Sequence, residues 1–441
     1  MNKYKVHPIA AGKKPQIRVR VPGSKSITNR ALLLAALTNE TCLAEGVLLS
    51  DDSRYFMEAL KDLGFAVTID EEHKNASITG CGGAIPKREA SVYVGSAGTA
   101  ARFLAAFLGV SDGEYEIKAS EQMCKRPMDG LFASLCELGT KISYEQEEGH
   151  LPVRVSGKDT KAATITVDIT KSSQFLSALL ISGCLCKGEK NEELVIRTEG
   201  SHGMAYIDIT MKMIEQFGGK VTVDEDGNYH MKLKNTYHAE RYQIEPDVSA
   251  ACYFYAMAAI TGGSALVEQV HPDSMQGDIA FLDVLCQMGC RMEDTVDGIL
   301  LTGPEGGKLK GITADLGAFS DQTMTLAAIA PYADGPVTIT GISHIRYQES
   351  NRMQAVLNEL TRMGIQAKQL GEDAICIYPG QPKPCEVETY DDHRMAMAFA
   401  VTGLRAEGIE ILDPGCCRKT FAEYFKVLDE LLIKEGVTAH E

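Results

Sequence analysis

Apolar positions recur at helical spacing six times along this chain, and each time the run stops at a glycine. The segments are Tyr55 to Gly64, Leu131 to Gly139, Met211 to Gly218, Phe281 to Gly289, Gln354 to Gly364 and Tyr424 to Gly436. Each sets an apolar stripe against a charged face, which predicts an amphipathic helix lying on a core, and glycine is the common left-handed stop at a helix C-terminus. The spacing of the glycines runs from 71 residues (Gly218 to Gly289) to 79 (Gly139 to Gly218), so one unit is repeated six times.

Every repeat also holds a second helical segment that is apolar on nearly all sides. These are Ile27 to Leu37, Thr99 to Leu108, Ser173 to Ile181, Val248 to Ile260, Gln322 to Ile329 and His393 to Leu404, and a helix of that kind has to be buried. Short β-type runs flank the pairs, such as Ala66 to Ile69, Ala76 to Thr79 and Ser91 to Val94, giving roughly β-α-β-α-β-β per repeat. Six buried helices do not fit one core, and 441 residues exceed one ordinary domain. Two α/β domains of three repeats each are expected, with the boundary at Tyr237 to Pro246.

Charge narrows the partners. With 44 basic and 60 acidic residues the net charge is −16, which opposes nonspecific attraction to nucleic acid or an anionic membrane. No apolar run approaches the roughly 20 residues of a membrane span, and the first residues lack a signal-peptide core, so a cytoplasmic protein is expected. The 13 cysteines are scattered with no C-x-x-C pair, which reads as reduced packing thiols with neither disulfides nor a metal site.

Against that acidic background the basic clusters stand out. Val21-Pro22-Gly23-Ser24-Lys25-Ser26 ends an extended run and opens the first buried helix, with Ser24 or Ser26 as its cap and Lys25 and Arg30 beside its exposed N–H groups. That is an anion site by construction. Gly95-Ser96-Ala97-Gly98-Thr99 and Ser172-Ser173-Gln174 open the next two buried helices with donors suited to phosphate. In the second half the corresponding positions are Asp247, Asp321 and Asp391-Asp392, which as single residues are most simply N-caps. Lys125-Arg126-Pro127, Glu349-Ser350-Asn351-Arg352, Asp392-His393-Arg394 and Arg418-Lys419-Thr420 add further cations.

Those motifs, with Gly98-Thr99-Ala100-Ala101-Arg102, Tyr206-Ile207-Asp208 and Asp413-Pro414, closely resemble the 5-enolpyruvylshikimate-3-phosphate synthases over nearly the full length. The resemblance implies the enolpyruvyl transferase fold: two inside-out α/β barrels, residues 23–244 and residues 1–22 with 245–441, three β-α-β-α-β-β repeats apiece, closing on substrates held between them. It implies transfer of the enolpyruvyl group of phosphoenolpyruvate (PEP) to the 5-hydroxyl of shikimate 3-phosphate, without metal or organic cofactor. Carried over by position, Lys25, Ser26, Arg30, Ser172, Ser173, Gln174, Tyr206, Asp321 and Gln348 would hold shikimate 3-phosphate. Lys25, Gly98, Arg126, Gln174, Arg352, Arg394 and Lys419 would surround PEP, and Asp321, Glu349, Lys25 and Lys419 would carry the chemistry. A monomer inhibited by glyphosate at the PEP site is expected.

Two positions depart from the family pattern. Gln348 stands where lysine is usual, and Ser201-His202-Gly203-Met204-Ala205-Tyr206 replaces a common Ser-x-Pro-Tyr phosphate motif, leaving Ser201 a candidate beside Tyr206. The runner-up within the fold is UDP-N-acetylglucosamine enolpyruvyl transferase, suggested by Cys124 near Arg126, but Lys25-Ser26 stands where that family has Lys-Asn. A P-loop phosphotransferase fails because a Walker motif needs glycine before its lysine, where this chain has Ser24, and another where it has Val19.

Overall fold

A computed structural model of the chain describes residues 3–10, 12–158, 160–161, 164–188, 193–200 and 203–434; Ser201 and Gly436 lie outside the described residues. The six amphipathic helices form at Asp51–Asp62, Asp129–Glu137, Met204–Gln216, Phe281–Gln287, Arg352–Arg362 and Tyr424–Lys434. Behind five of them Gly64, Gly139, Gly218, Gly289 and Gly364 take φ of +93°, +96°, +79°, +109° and +73°, the left-handed region in which a Cβ is costly.

The buried helices run Lys25–Leu37, Gly98–Val110, Gln174–Ser182, Val248–Thr261, Thr323–Ile329 and His393–Gly403. In Lys25–Leu37 all eleven residues from Ile27 onward are buried, and in Gly98–Val110 every residue is. Fully burying a side chain such as Phe103, Leu104 or Phe107 stabilises by about 1.5–3 kcal/mol, so these helices fix the cores.

Each repeat builds one small sheet. In the second, Glu89–Tyr93 runs parallel to Glu114–Lys118, which pairs antiparallel with Val153–Ser156, and that strand pairs in turn with Lys141–Tyr144. Five sheets of four strands and one of three follow this plan among the described residues. Three strands come from outside their own repeat. Arg241–Gln243 joins the first sheet beside Leu43–Glu45, Gln16–Val19 joins the fourth beside Ser264–Val267, and Lys3–Lys5 joins the sixth beside Glu410–Leu412.

The chain accordingly divides into two compact units, Gly23–Ile244 and Met1–Pro22 with Glu245–Glu441. In the second unit the Asp247 N–H donates to the Pro22 carbonyl at 2.8 Å, joining the two segments at which the chain enters and leaves it.

Gly289 separates conformation from space, because an added Cβ would meet nothing nearer than Pro304 at 3.6 Å while φ is +109°. Gly289→Ala is expected to lower stability by about 1–2 kcal/mol from backbone strain alone. Urea unfolding measures it, and unchanged stability would show that this turn relaxes without cost.

Candidate active site

Arg352 opens the amphipathic helix Arg352–Arg362 and its side chain is 1% exposed, in contact with three carboxylates. Its Nη1 donates to Asp321 Oδ1 at 2.9 Å, its Nη2 reaches Glu349 Oε2 at 2.8 Å, and its Nε donates to Asp392 Oδ2 at 2.8 Å. Gln348 also accepts from Nη1. Burial opposes the guanidinium charge, but Asp392, Glu349 and Asp321 together outweigh it and raise the pKa of Arg352 above its ordinary value. Ser350 adds a hydrogen bond to Asp392 at 3.0 Å, and Asn351 caps the helix through the Gln354 N–H.

Asp321 is shared. Its second oxygen accepts from Arg394 Nη2 at 2.7 Å, so each carboxylate oxygen bonds a different guanidinium. The residues on either side of it are anchored in the interior. Ser320 Oγ pairs with His344 Nε2 at 2.7 Å, and Gln322 Nε2 donates to Asp278 Oδ1 at 2.6 Å. The His344 bond ties the turn Ser320–Gln322 to the segment Ser343–Tyr347 that leads into Gln348 and Glu349. Burial holds the His344 pKa below its ordinary value, so it is neutral at physiological pH and fit for that bond.

Lys419 is buried, and its ammonium bonds both the carboxylate of Asp391, at 2.8 Å, and the Asp391 carbonyl. Tyr390 and Asp391 have φ of +57° and +52°, and Asp413, which opens the turn Pro414–Lys419, has +46°. Non-glycine residues in this region are uncommon and costly, so packing holds the two loops carrying Asp391, Asp392 and Lys419 in an otherwise disfavoured shape.

The unit Gly23–Ile244 supplies a different chemistry. Ser24 caps the first buried helix, accepting from the Ile27 N–H at 3.5 Å, and Lys25 pairs with Asp52 at 3.3 Å. Arg30 is buried against the Phe103 ring and donates to Thr210 Oγ1, Ser177 Oγ and the carbonyls of Ser26 and Tyr206. All four acceptors are neutral. Burial lowers its pKa to about 10, which leaves a charged guanidinium not neutralised by any of these groups.

In the same unit Gln174 donates to Thr99 Oγ1 at 3.2 Å and keeps a buried carbonyl oxygen with no hydrogen-bond partner among the described residues, while Ser172 Oγ accepts from the Gln174 N–H at 3.3 Å. Gly98 faces two arginines: a Cβ there would lie 2.6 Å from Arg126 Nη1 and 2.9 Å from Arg102 Nη1. Arg102 donates to the Pro127 carbonyl at 2.9 Å and so fixes the loop that carries Arg126.

The structure thus gathers the sequence candidates into two sets. Asp321, Gln348, Glu349, Arg352 and Arg394 touch one another directly, with Lys419 on Asp391 in the same unit. Lys25, Ser26, Arg30, Gly98, Arg126, Ser172, Ser173, Gln174 and Tyr206 belong to the other unit, most of them at or near the N-termini of its buried helices. Asp247 and Asp392 are N-caps, as single aspartates at helix starts suggest, but the N-cap of Thr323–Ile329 is Gln322, and Asp321 bonds two arginines.

Sequence reasoning passed over Asp52, Asp278 and the Ser320–His344 pair, and gave Arg102 no role beyond its motif. Asp52 lay outside the helix expected from Tyr55 and proves to sit in its first turn, and the others meet their partners only in three dimensions. Cys124 has its thiol pKa raised by burial and by Glu121, the reverse of an activated cysteine. Among the described residues no group of three or more His, Cys, Asp and Glu side chains is placed to hold a metal.

Replacing Arg352 by methionine leaves Asp392, Glu349 and Asp321 facing the position of the lost cation. Stability is expected to fall by about 3–5 kcal/mol, the cost of breaking a buried charge network by removing one partner. Denaturant unfolding tests this, and a loss below about 1 kcal/mol would mean that the carboxylates are compensated elsewhere.

The chain is similar to known proteins over nearly its whole length. Residues 9–428 match the family profile described as EPSP synthase (3-phosphoshikimate 1-carboxyvinyltransferase). A 3-phosphoshikimate 1-carboxyvinyltransferase of Nostoc punctiforme is 41% identical over 415 residues, covering 94% of this chain and 96% of the relative. The chloroplastic protein of the same name from Arabidopsis thaliana is 36% identical over 428 residues, covering 94% of this chain and 82% of the relative. Among solved structures, an EPSP synthase from Acinetobacter baumannii superposes with a TM-score of 0.79 at 25% identity, covering 99% of both chains. With that likeness running through both units, the chain belongs to the EPSP synthase family, the 3-phosphoshikimate 1-carboxyvinyltransferases.

Proposed function

We propose a division of labour in which the unit Gly23–Ile244 holds shikimate 3-phosphate and the unit containing Glu245–Glu441 supplies the carboxylates that move protons. The reaction of the family joins the 5-hydroxyl oxygen to C2 of PEP while C3 gains a proton, then removes a proton from the new methyl group as phosphate leaves. Both substrates are phosphorylated carboxylates, so cations must offset their repulsion, and groups able to accept and return a proton must lie beside them.

Arg30 binds the shikimate carboxylate in this reading, with Ser26 and Tyr206 beside it, and Ser172 and Ser173 bind the phosphate. Lys25, Gly98, Arg126, Gln174, Arg352, Arg394 and Lys419 surround PEP. Asp321 takes the hydroxyl proton, and Glu349 exchanges protons with the methylene carbon. Lys25 and Lys419 assist transfer and phosphate departure.

The observation that carries the assignment is that Asp321 and Glu349, two carboxylates with separate proton-transfer roles, share the guanidinium of Arg352 at 2.9 and 2.8 Å. An arriving PEP must share donors that these carboxylates occupy, which couples substrate binding to the proton-transfer groups. Gln348 supports shikimate 3-phosphate more weakly than a lysine would, because its side-chain oxygen is bonded to Arg352.

The reading extends to a cytoplasmic monomer that needs no metal. Among the described residues no helix is long and apolar enough to cross a membrane. Phosphate release from PEP is expected to require shikimate 3-phosphate and to continue after divalent metals are chelated. Release with UDP-N-acetylglucosamine as acceptor, or loss in chelator restored by metal, would overturn it.

Glyphosate, a phosphonate with a carboxylate, is expected to compete with PEP. In Gly98→Ala the added methyl must displace Arg126, since it would fall 2.6 and 2.7 Å from the two terminal nitrogens. The inhibition constant is expected to rise by about tenfold or more, equivalent to roughly 1.4 kcal/mol, and the KM for PEP by less. Equal responses of the two constants would remove Gly98 from the inhibitor site.

A further inference from the structure

Asp278 lies on the turn Gly277–Ala280 and is 4% exposed, far from any motif that marks the family in this sequence. Its Oδ1 accepts from Gln322 Nε2 at 2.6 Å, and Gln322 immediately follows Asp321. Gln322 is itself fully buried, and its own carbonyl oxygen accepts from Thr325 Oγ1 at 2.9 Å, so its amide is locked in one orientation. The turn bearing Asp278 is equally fixed. Gln276 Nε2 donates to the Pro246 carbonyl at 2.7 Å, Gln276 Oε1 accepts from the Val248 N–H at 3.1 Å, and the Cys252 thiol reaches the Asp278 carbonyl at 3.8 Å.

We infer that Asp278 is a positioning residue for the transfer reaction, holding from behind the turn that directs Asp321 at Arg352 and Arg394 and governing how much of the Arg394 charge is left for PEP. The inference rests on the roles proposed above for Asp321 and Arg394.

The groups that face Asp278 define its effect. Asp321 comes from the turn Ser320–Gln322, Asp247 and Cys252 from the start of the helix Val248–Thr261, and Arg394 from the helix His393–Gly403. Three carboxyl groups therefore share the neighbourhood of one guanidinium, which already donates to Asp321 at 2.7 Å. Burial, and next the charge of Asp321, push the Asp278 carboxyl up to about 6, against the opposing pull of Arg394 and Gln322. Below that pH Asp278 is neutral and Arg394 serves Asp321 and substrate. Above it the charge of Asp278 draws on the same guanidinium and repels an arriving anion.

The test is the pH dependence of KM for PEP between pH 5 and 8 in the unmodified protein and in Asp278→Asn, which keeps an acceptor for Gln322 but cannot ionise. Ionisation of the substrates affects both proteins and cancels in the ratio. The ratio of the KM of the unmodified protein to that of the variant is expected to rise at least threefold as pH passes through about 6. A ratio constant with pH would reduce Asp278 to a packing role and overturn the inference.

Stability provides an independent readout. An acid whose folded pKa exceeds its unfolded value of about 3.9 costs stability as pH rises between the two, so the unmodified protein should lose stability relative to Asp278→Asn between about pH 4 and 6.

Gln322→Leu keeps the experiment decisive if Asp278→Asn does not fold. Loss of the donor should move the inflection in KM to higher pH, and an unmoved inflection would also overturn the inference. Asp321→Asn distinguishes the two levels of the argument. Retained turnover there would refute the role of Asp321, whereas lost turnover with a pH-independent Asp278→Asn ratio would refute only the part played by Asp278.

Discussion

A buried guanidinium surrounded by three carboxylates organises the unit that carries Asp321 and Glu349. Arg352 cannot be in the interior without compensation, and Asp392, Glu349 and Asp321 cannot lie so close together without a cation between them. The fork of arginine suits this arrangement because its donors point in fixed directions, and each carboxylate is thereby given a position as well as a charge. A lysine would neutralise the same charge without setting those angles. The left-handed residues Tyr390 and Asp391, and Asp413 ahead of Lys419, are the backbone cost of bringing the remaining loops to the same site.

The two units hold their buried cations in opposite ways. In Gly23–Ile244 the buried cation Arg30 is held by hydroxyls, carbonyls and the Phe103 ring, with no carboxylate among these contacts. In the other unit cations and carboxylates are interleaved, with Asp321 between Arg352 and Arg394. Both depend on buried helices whose flanks are apolar and whose N-termini carry the polar residues. The net charge of −16 makes such local positive regions selective for small anions that can enter them, since large polyanions meet an acidic surface.

Strand exchange between repeats supports this architecture. Lys3–Lys5 and Gln16–Val19 complete two sheets of a unit whose remaining residues begin at Glu245, and Arg241–Gln243 completes the first sheet of the other. Each unit therefore closes through strands distant in sequence, and the residues bearing the chemistry sit on helices and turns braced by those sheets. Closing a long loop costs only slowly increasing entropy, so this wiring adds little to the cost of the fold.

Periodicity and composition were sufficient for everything that local physics controls. Apolar positions at helical spacing gave both helices of every repeat, five of the six terminal glycines marked positions that take positive φ, and serines, lysines and arginines clustered at helix starts stood out against the acidic composition. Their identity as a family signature was legible because motifs preserve residue type and order. What tertiary structure alone decided was pairing. Asp247, Asp321 and Asp392 look alike as acids at helix starts, yet Asp247 caps its helix, Asp392 caps its own while bonding Arg352, and Asp321 bonds both Arg352 and Arg394 while Gln322 takes the cap position. Asp278 carries no sequence signal, since its environment is made by residues 31 positions before it and 43 and 116 after it, Asp247, Asp321 and Arg394. Electrostatic and hydrogen-bond energies depend on distances of a few ångströms between groups far apart in the chain, and those distances exist only once the cores have packed.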